Sequence, residues 1–141
     1  MRQFDALPAT ADPQERTRLL TDAAQAYQTA LDLTPADDLA GRAVTHNQLA
    51  LVYERVDQPD AAMERYKQSI ALKERTGNRY GAGTSRSSLA RLLARAGRFS
   101  DALAYARAAR TDYASYDGRT AADVAKTDAL IAQLEKDLAA S

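Results

Sequence analysis

The chain has no cysteine, no tryptophan, two phenylalanines and a single histidine in 141 residues. Without cysteine there is no disulfide framework and no thiol chemistry. One histidine leaves few ways to assemble a metal centre or a nucleophile with its base. Apolar runs are short, Leu49–Tyr53 being typical, against the roughly 20 residues a membrane-spanning helix needs. Charge of one sign is missing too: 19 basic residues face 19 acidic ones, which argues against a uniformly basic nucleic-acid surface. The first residues, Met1-Arg2-Gln3-Phe4-Asp5-Ala6, lead into no apolar run, so no signal peptide is expected and a cytoplasmic location is the default. β-branched residues are sparse and never alternate, so no strand is expected.

What the chain does have is repetition. Residues 44–78 align without gaps to residues 84–118, a period of 40. Leu49, Ala50, Tyr53, Ala62, Tyr66 and Ser69 answer to Leu89, Ala90, Leu93, Ala102, Ala106 and Ala109. Self-similarity at a fixed period of this length is the mark of stacked structural repeats.

Local signals place six helices. Asp12-Pro13-Gln14-Glu15 reads as an N-cap, a first-turn proline and a capping-box glutamate, opening a helix to about Leu33. Thr34-Pro35-Ala36-Asp37 predicts the next start, with a helix to about Val56 that carries Gly41 at a cost of about 1 kcal/mol. Pro59 opens a third helix to Thr76, stopped by Gly77. Asn78 caps a fourth to Ala96, Phe99–Tyr116 forms a fifth, and Thr120 with Asp123 opens a sixth to about Ala139. Loops of two to four residues make neighbours antiparallel. Residues 1–11 read as a flexible arm. Residues 12–141 read as one domain: a half repeat over about 12–34, full repeats over 35–78 and 79–118, and a capping helix over 119–139. On that last helix Val124, Leu130, Ile131, Leu134 and Leu138 are expected to face in. Lys126, Asp128, Glu135, Lys136 and Asp137 are expected to face out.

The pattern Leu49-Ala50-x-x-Tyr53 followed by Ala62-x-x-x-Tyr66-x-x-Ser69 resembles the tetratricopeptide repeat, and Leu89-Ala90, Leu93, Gly97, Phe99, Ala102, Ala106 and Ala109 resemble it again. Ala23-x-x-x-Tyr27-x-x-Ala30 matches its second half alone. The usual period is about 34 residues. The longer period resembles repeats at the ends of large bacterial signalling ATPases and protease-linked regulators. Departures from the family pattern are His46 and Arg86 at its Trp position, Glu74 at its terminal Pro and Ala106 where an aromatic is common. The resemblance implies an all-α, right-handed helical-hairpin solenoid. It also implies a protein-interaction scaffold; with one His, no Cys and no acid–base pair in view, no catalytic role, cofactor or metal is expected. Its concave face, lined by the first helix of each pair, would carry Val44, Asn47, Leu51, Glu54 and Arg55, then Thr84, Ser87, Arg91, Ala94 and Arg95. The first repeat lacks its leading helix, so that end is expected to join a second copy or a longer solenoid.

Most single residues that look chemical have structural explanations. His46 has no metal-spaced carboxylates, and Asp37-Asp38 suits a helix start. Ser85, Ser87 and Ser88 have no base near in sequence, and Gly81-Ala82-Gly83 lacks the strand and Gly-Lys-Ser/Thr of a phosphate loop. One feature stands out. From Arg75 to Arg98 there are six arginines (75, 79, 86, 91, 95, 98) and no carboxylate, whereas residues 1–40 carry three Arg against seven carboxylates. Arg91 and Arg95, four apart, share a helix face and suit bidentate pairing with carboxylate or phosphate. The partner is therefore expected to be a protein or peptide of acidic character, recognised as a helix or extended segment. Nucleic acid on the Arg75–Arg98 stripe is the alternative. It is disfavoured because no aromatic stacking platform is interleaved with the arginines.

Overall fold

A computed structural model describes residues 12–141, which form six helices and no strand. They are α1 (Pro13–Leu33), α2 (Leu39–Arg55), α3 (Pro59–Arg75), α4 (Arg79–Arg95), α5 (Phe99–Ala114) and α6 (Ala121–Ala140). The expected arm, residues 1–11, lies outside the described residues. The architecture is an all-α helical repeat. It divides into two compact units, one ending at Ser69 and one spanning Ile70–Ser141, with the boundary inside α3. The connections are longer than expected at two places: five residues precede α2 and six precede α6.

The helix starts show why. Thr34 does not open α2. Its hydroxyl donates to Ala30 O at 2.6 Å and its N–H to Leu31 O, so it closes α1. The α2 cap is Asp38, whose Oδ1 accepts from Gly41 N at 3.0 Å. Forty residues on, Asn78 Oδ1 accepts from Gly81 N at 2.9 Å. A Cβ on Gly41 would sit 2.4 Å from Asp38 Oδ2, and one on Gly81 2.5 Å from Asn78 Nδ2. Each glycine leaves room for the cap to reach its N–H, and this offsets the helix-interior cost assigned to Gly41. Thr120, in contrast, makes no capping bond; its hydroxyl donates back to Tyr113 O and to Tyr116 O.

In the first unit α1 packs on α2. Leu20, Ala23, Tyr27 and Leu31 at helical spacing meet Leu49 and Val52, with Tyr53 and Val56 half-buried against them. Tyr66 of α3 is fully buried and donates to the Glu54 carboxylate, while Ser69 Oγ donates to Ala43 O at 2.9 Å. Of the repeat motif, Ala23, Tyr27, Leu49, Ala50, Ala62, Tyr66 and Ser69 are thus interior, Tyr53 is half-buried and Ala30 is exposed. In the second unit α4 packs on α5 and α5 on α6. Leu89, Ala90, Leu93, Ala102, Ala106 and Ala109 are all buried. Gly83 marks a close approach of the two helices, since a Cβ there would lie 3.1 Å from Asp112 Cβ and 3.2 Å from Tyr113 Cε1. So Gly81 and Gly83 serve a cap and a helix contact. On α6, Leu134 is buried and Val124, Leu130 and Ile131 are half-buried, but Leu138 is 39% exposed at the fraying last turn. Thr127, not foreseen, is buried, its hydroxyl returned to Asp123 O at 2.7 Å.

Candidate functional site

The residues expected to meet a partner sit on α2 in the first unit and on α4 in the second. On α2, Val44 is 56% exposed, unusual for so apolar a side chain, and Arg55 is exposed. Asn47, Leu51 and Glu54 are half-buried. Glu54 differs from the expectation in one respect: it accepts the Tyr66 hydroxyl, so part of its hydrogen-bonding capacity is already used inside the fold. On α4, Thr84, Arg91 and Arg95 are exposed and Ala94 is half-buried. Ser87 is withdrawn from solvent, at 5% exposure, because it lies where the α4 face turns inward. Thr84 donates to Tyr80 O at 3.1 Å and accepts from the Tyr113 hydroxyl at 3.2 Å, placing it beside an aromatic group. Tyr80 is 43% exposed there, its ring centroid 5.4 Å from Tyr113 and 6.2 Å from Tyr116. The Asp123 carboxylate beside its hydroxyl raises the Tyr80 pKa above the ordinary phenol value.

Helical spacing divides the arginine stripe between faces. Arg86 Nη1 donates to Asp112 Oδ2 at 2.6 Å and Nη2 to Glu74 Oε1 at 2.7 Å. Arg79 lies 3.8 Å from Asp112, and Arg98 pairs with Asp101 at 2.7 Å. Arg79 and Arg86 are seven residues apart, two turns on one side of α4. Arg91 and Arg95 lie around the helix from them with Thr84 and Tyr80. Arg91 makes no ion pair among the described residues. A continuous basic run in sequence is therefore partly neutralised in space, with Arg91 and Arg95 on a face of α4 away from Arg79 and Arg86.

Three polar clusters were not legible in advance. Asp112 is one, buried in α5 between two arginines. The second joins three helices of the first unit: Arg65 of α3 donates through Nη2 to Gln28 Oε1 of α1 and through Nη1 to His46 Nδ1 of α2, each at 3.1 Å. A guanidinium only donates, so Nδ1 must accept and the ring is neutral with its proton on Nε2. Burial first, then the nearby Arg65 and Arg42 charges, hold the His46 pKa below 6.5. The third gives Ser85 an amine after all: Lys73 Nζ donates to Ser85 Oγ at 2.9 Å and to Gly81 O at 3.3 Å. Burial pulls the Lys73 pKa down. Ser85 is wholly buried, so no substrate reaches the pair, and it acts as a helix tie.

Among the described residues no group of three His, Cys, Asp or Glu side chains could hold a metal ion, and no helix is long and apolar enough to cross a membrane. Residues 41–115 match the family model described as tetratricopeptide repeat. No curated protein matches the chain significantly in sequence.

Proposed function

The chain belongs to the tetratricopeptide repeat family, and from that premise we propose that it binds an acidic peptide or helix of another protein through the outward face of α4 in the second unit, with α2 of the first unit offering a contact surface of its own. Repeats of this family generally mediate protein–protein interaction, so a binding role is the premise and the choice of face and partner the proposal. The observation that carries it is the row Thr84, Arg91 and Arg95, with Arg91 lacking an internal ion pair while its neighbours Arg79, Arg86 and Arg98 have theirs. Exposed arginine in a fixed row presents forked donors that carboxylates accept in pairs. On α2, exposed Val44 and half-buried Leu51 supply apolar contact, with Asn47 and Arg55 beside them for orientation. The reading is of a non-catalytic scaffold. A nucleic-acid role draws less support, because several arginines of the stripe are bound to carboxylates.

The test is selection from a random peptide library on the intact chain, followed by affinity measurement for the selected sequences. Enrichment of Asp and Glu is expected, with at least tenfold weaker binding by the Arg91→Glu, Arg95→Glu double variant and an unchanged circular-dichroism melt. Selected peptides without acidic residues, or equal affinity in the double variant, would overturn the reading.

A further inference from the structure

The two sides of α2 differ in chemistry, and a cleft of about 370 Å³ lies beside its last turns, between α1 and α2 of the first unit. Helical spacing puts it on the other side of α2 from Val44, Leu51 and Arg55. Leu20, Val52 and Val56 make its floor. Its rim carries Thr21, Gln25, Gln28, Tyr53 and Gln58, and none of the described residues lining it is charged. For a chain that is 27% charged this is a marked exclusion. Gln28 is tied, accepting from Arg65 and donating to Asp32 at 3.1 Å. The side chains of Thr21, Gln25, Tyr53 and Gln58 make no hydrogen bond among the described residues, so their donors and acceptors are open to a ligand.

The repeat itself supplies the control. The motif of α1 (Ala23, Tyr27, Ala30) recurs in α3 (Ala62, Tyr66, Ser69) after 39 residues, and that of α2 in α4 after 40. On this correspondence Thr21, Gln25 and Gln28 answer to Asp60, Glu64 and Lys67, and Gln58 to Arg98. Four rim positions that are charged in the following copy are hydroxyl or carboxamide in this one. A primary carboxamide offers one acceptor and two donors, the complement of a peptide group with its one donor and one acceptor.

We propose that this cleft is a second binding site, which takes an extended, uncharged segment of a partner protein. One leucine- or phenylalanine-type side chain enters over Leu20, Val52 and Val56, and the flanking peptide groups hydrogen-bond to Gln25, Gln58 and the Tyr53 hydroxyl. The volume is at the small end of ligand sites and holds a side chain together with its flanking peptide groups. A charged side chain would give up its hydration there without an ionic partner, which sets the selectivity. The site is independent of the arginine row on α4, and its failure leaves that reading untouched.

The experiment is an NMR titration of the whole chain with N-acetyl-leucine amide and N-acetyl-phenylalanine amide, set against N-acetyl-glutamate amide and N-acetyl-lysine amide. The expected result is millimolar binding of the neutral probes, shifting the Leu20, Val52 and Val56 methyls and the Gln25 and Gln58 side-chain amides. Charged probes should bind at least fivefold more weakly. Gln25→Glu with Gln58→Glu changes only exposed rim positions, so folding is retained. That variant should lose the neutral preference and favour the lysine probe. No shift at these groups with neutral probes, equal binding of charged ones, or an unchanged preference in the double variant would overturn the proposal.

Discussion

Asp112→Ala is the sharpest test of how the second unit is held together. Asp112 and Arg86 have side chains 8% and 16% exposed and meet at 2.6 Å, so solvent screens the pair little. Removing one member of a buried ion pair costs about 3–5 kcal/mol, because the other is left charged and undercompensated. Arg86 keeps Glu74 at 2.7 Å, but that carboxylate is 55% exposed and belongs to the class worth about 0–1 kcal/mol. The expected loss is therefore about 2–4 kcal/mol, the lower figures applying where Glu74 closes over the vacated space. Urea unfolding followed by circular dichroism reads it, there being no tryptophan to report by fluorescence. The companion Arg86→Met, Asp112→Leu variant should unfold close to wild type, since replacing both ions with apolar groups removes the desolvation cost along with the attraction. A loss under about 0.5 kcal/mol in the single variant, or a double variant as unstable as the single, would refute the assignment of the pair as buried and coupled.

His46 has a folded pKa below 6.5, so protons bind the unfolded chain more readily; its contribution to stability is complete above about pH 6.5 and is lost as pH falls toward the folded value. Chemical unfolding between pH 7.5 and 5.5 should show that slope, and His46→Gln should flatten it. Asp57 adopts φ 58°, the left-handed conformation that Gly97 takes forty residues later at 76°. Asp57→Gly is expected to gain up to about 1 kcal/mol and Gly97→Asp to lose a similar amount, read as a shift in urea midpoint at constant slope. Gly83→Ala places a methyl 3.1 Å from Asp112 Cβ and should cost about 1–3 kcal/mol by overpacking; an unchanged melt would mean that α4 and α5 have slack there.

Much of the fold could be read from the sequence because the signals are local. Asp12 before Pro13, Asn78 before Arg79 and the glycines at 77 and 97 fix helix ends through their own backbone chemistry. Thr34 misled because a hydroxyl next to a helix end can serve either neighbour, and only tertiary context decides. Arg86–Asp112–Glu74 shows what was legible only in retrospect. Arg86 and Glu74 depart from the family pattern, and Asp112 stands where the preceding copy has Leu72. Anomalies from two successive repeats turn out to meet at one place, Arg86 pairing with both carboxylates. The arginine row was visible as composition, but the pairing of Arg79, Arg86 and Arg98 depended on carboxylates outside α4. The cleft left a trace too: of its five described rim positions, none charged, four are charged in the next copy.

Asp38 with Gly41 and Asn78 with Gly81 give each copy its own punctuation, written within four residues. A gene segment bearing such a cassette carries the instruction for where its first helix begins, whatever sequence it lands beside. Tandem duplication or loss of one whole forty-residue segment would then leave the reading of the others intact. The length of such a protein is free to drift in whole steps while the side chains that meet partners diversify within each.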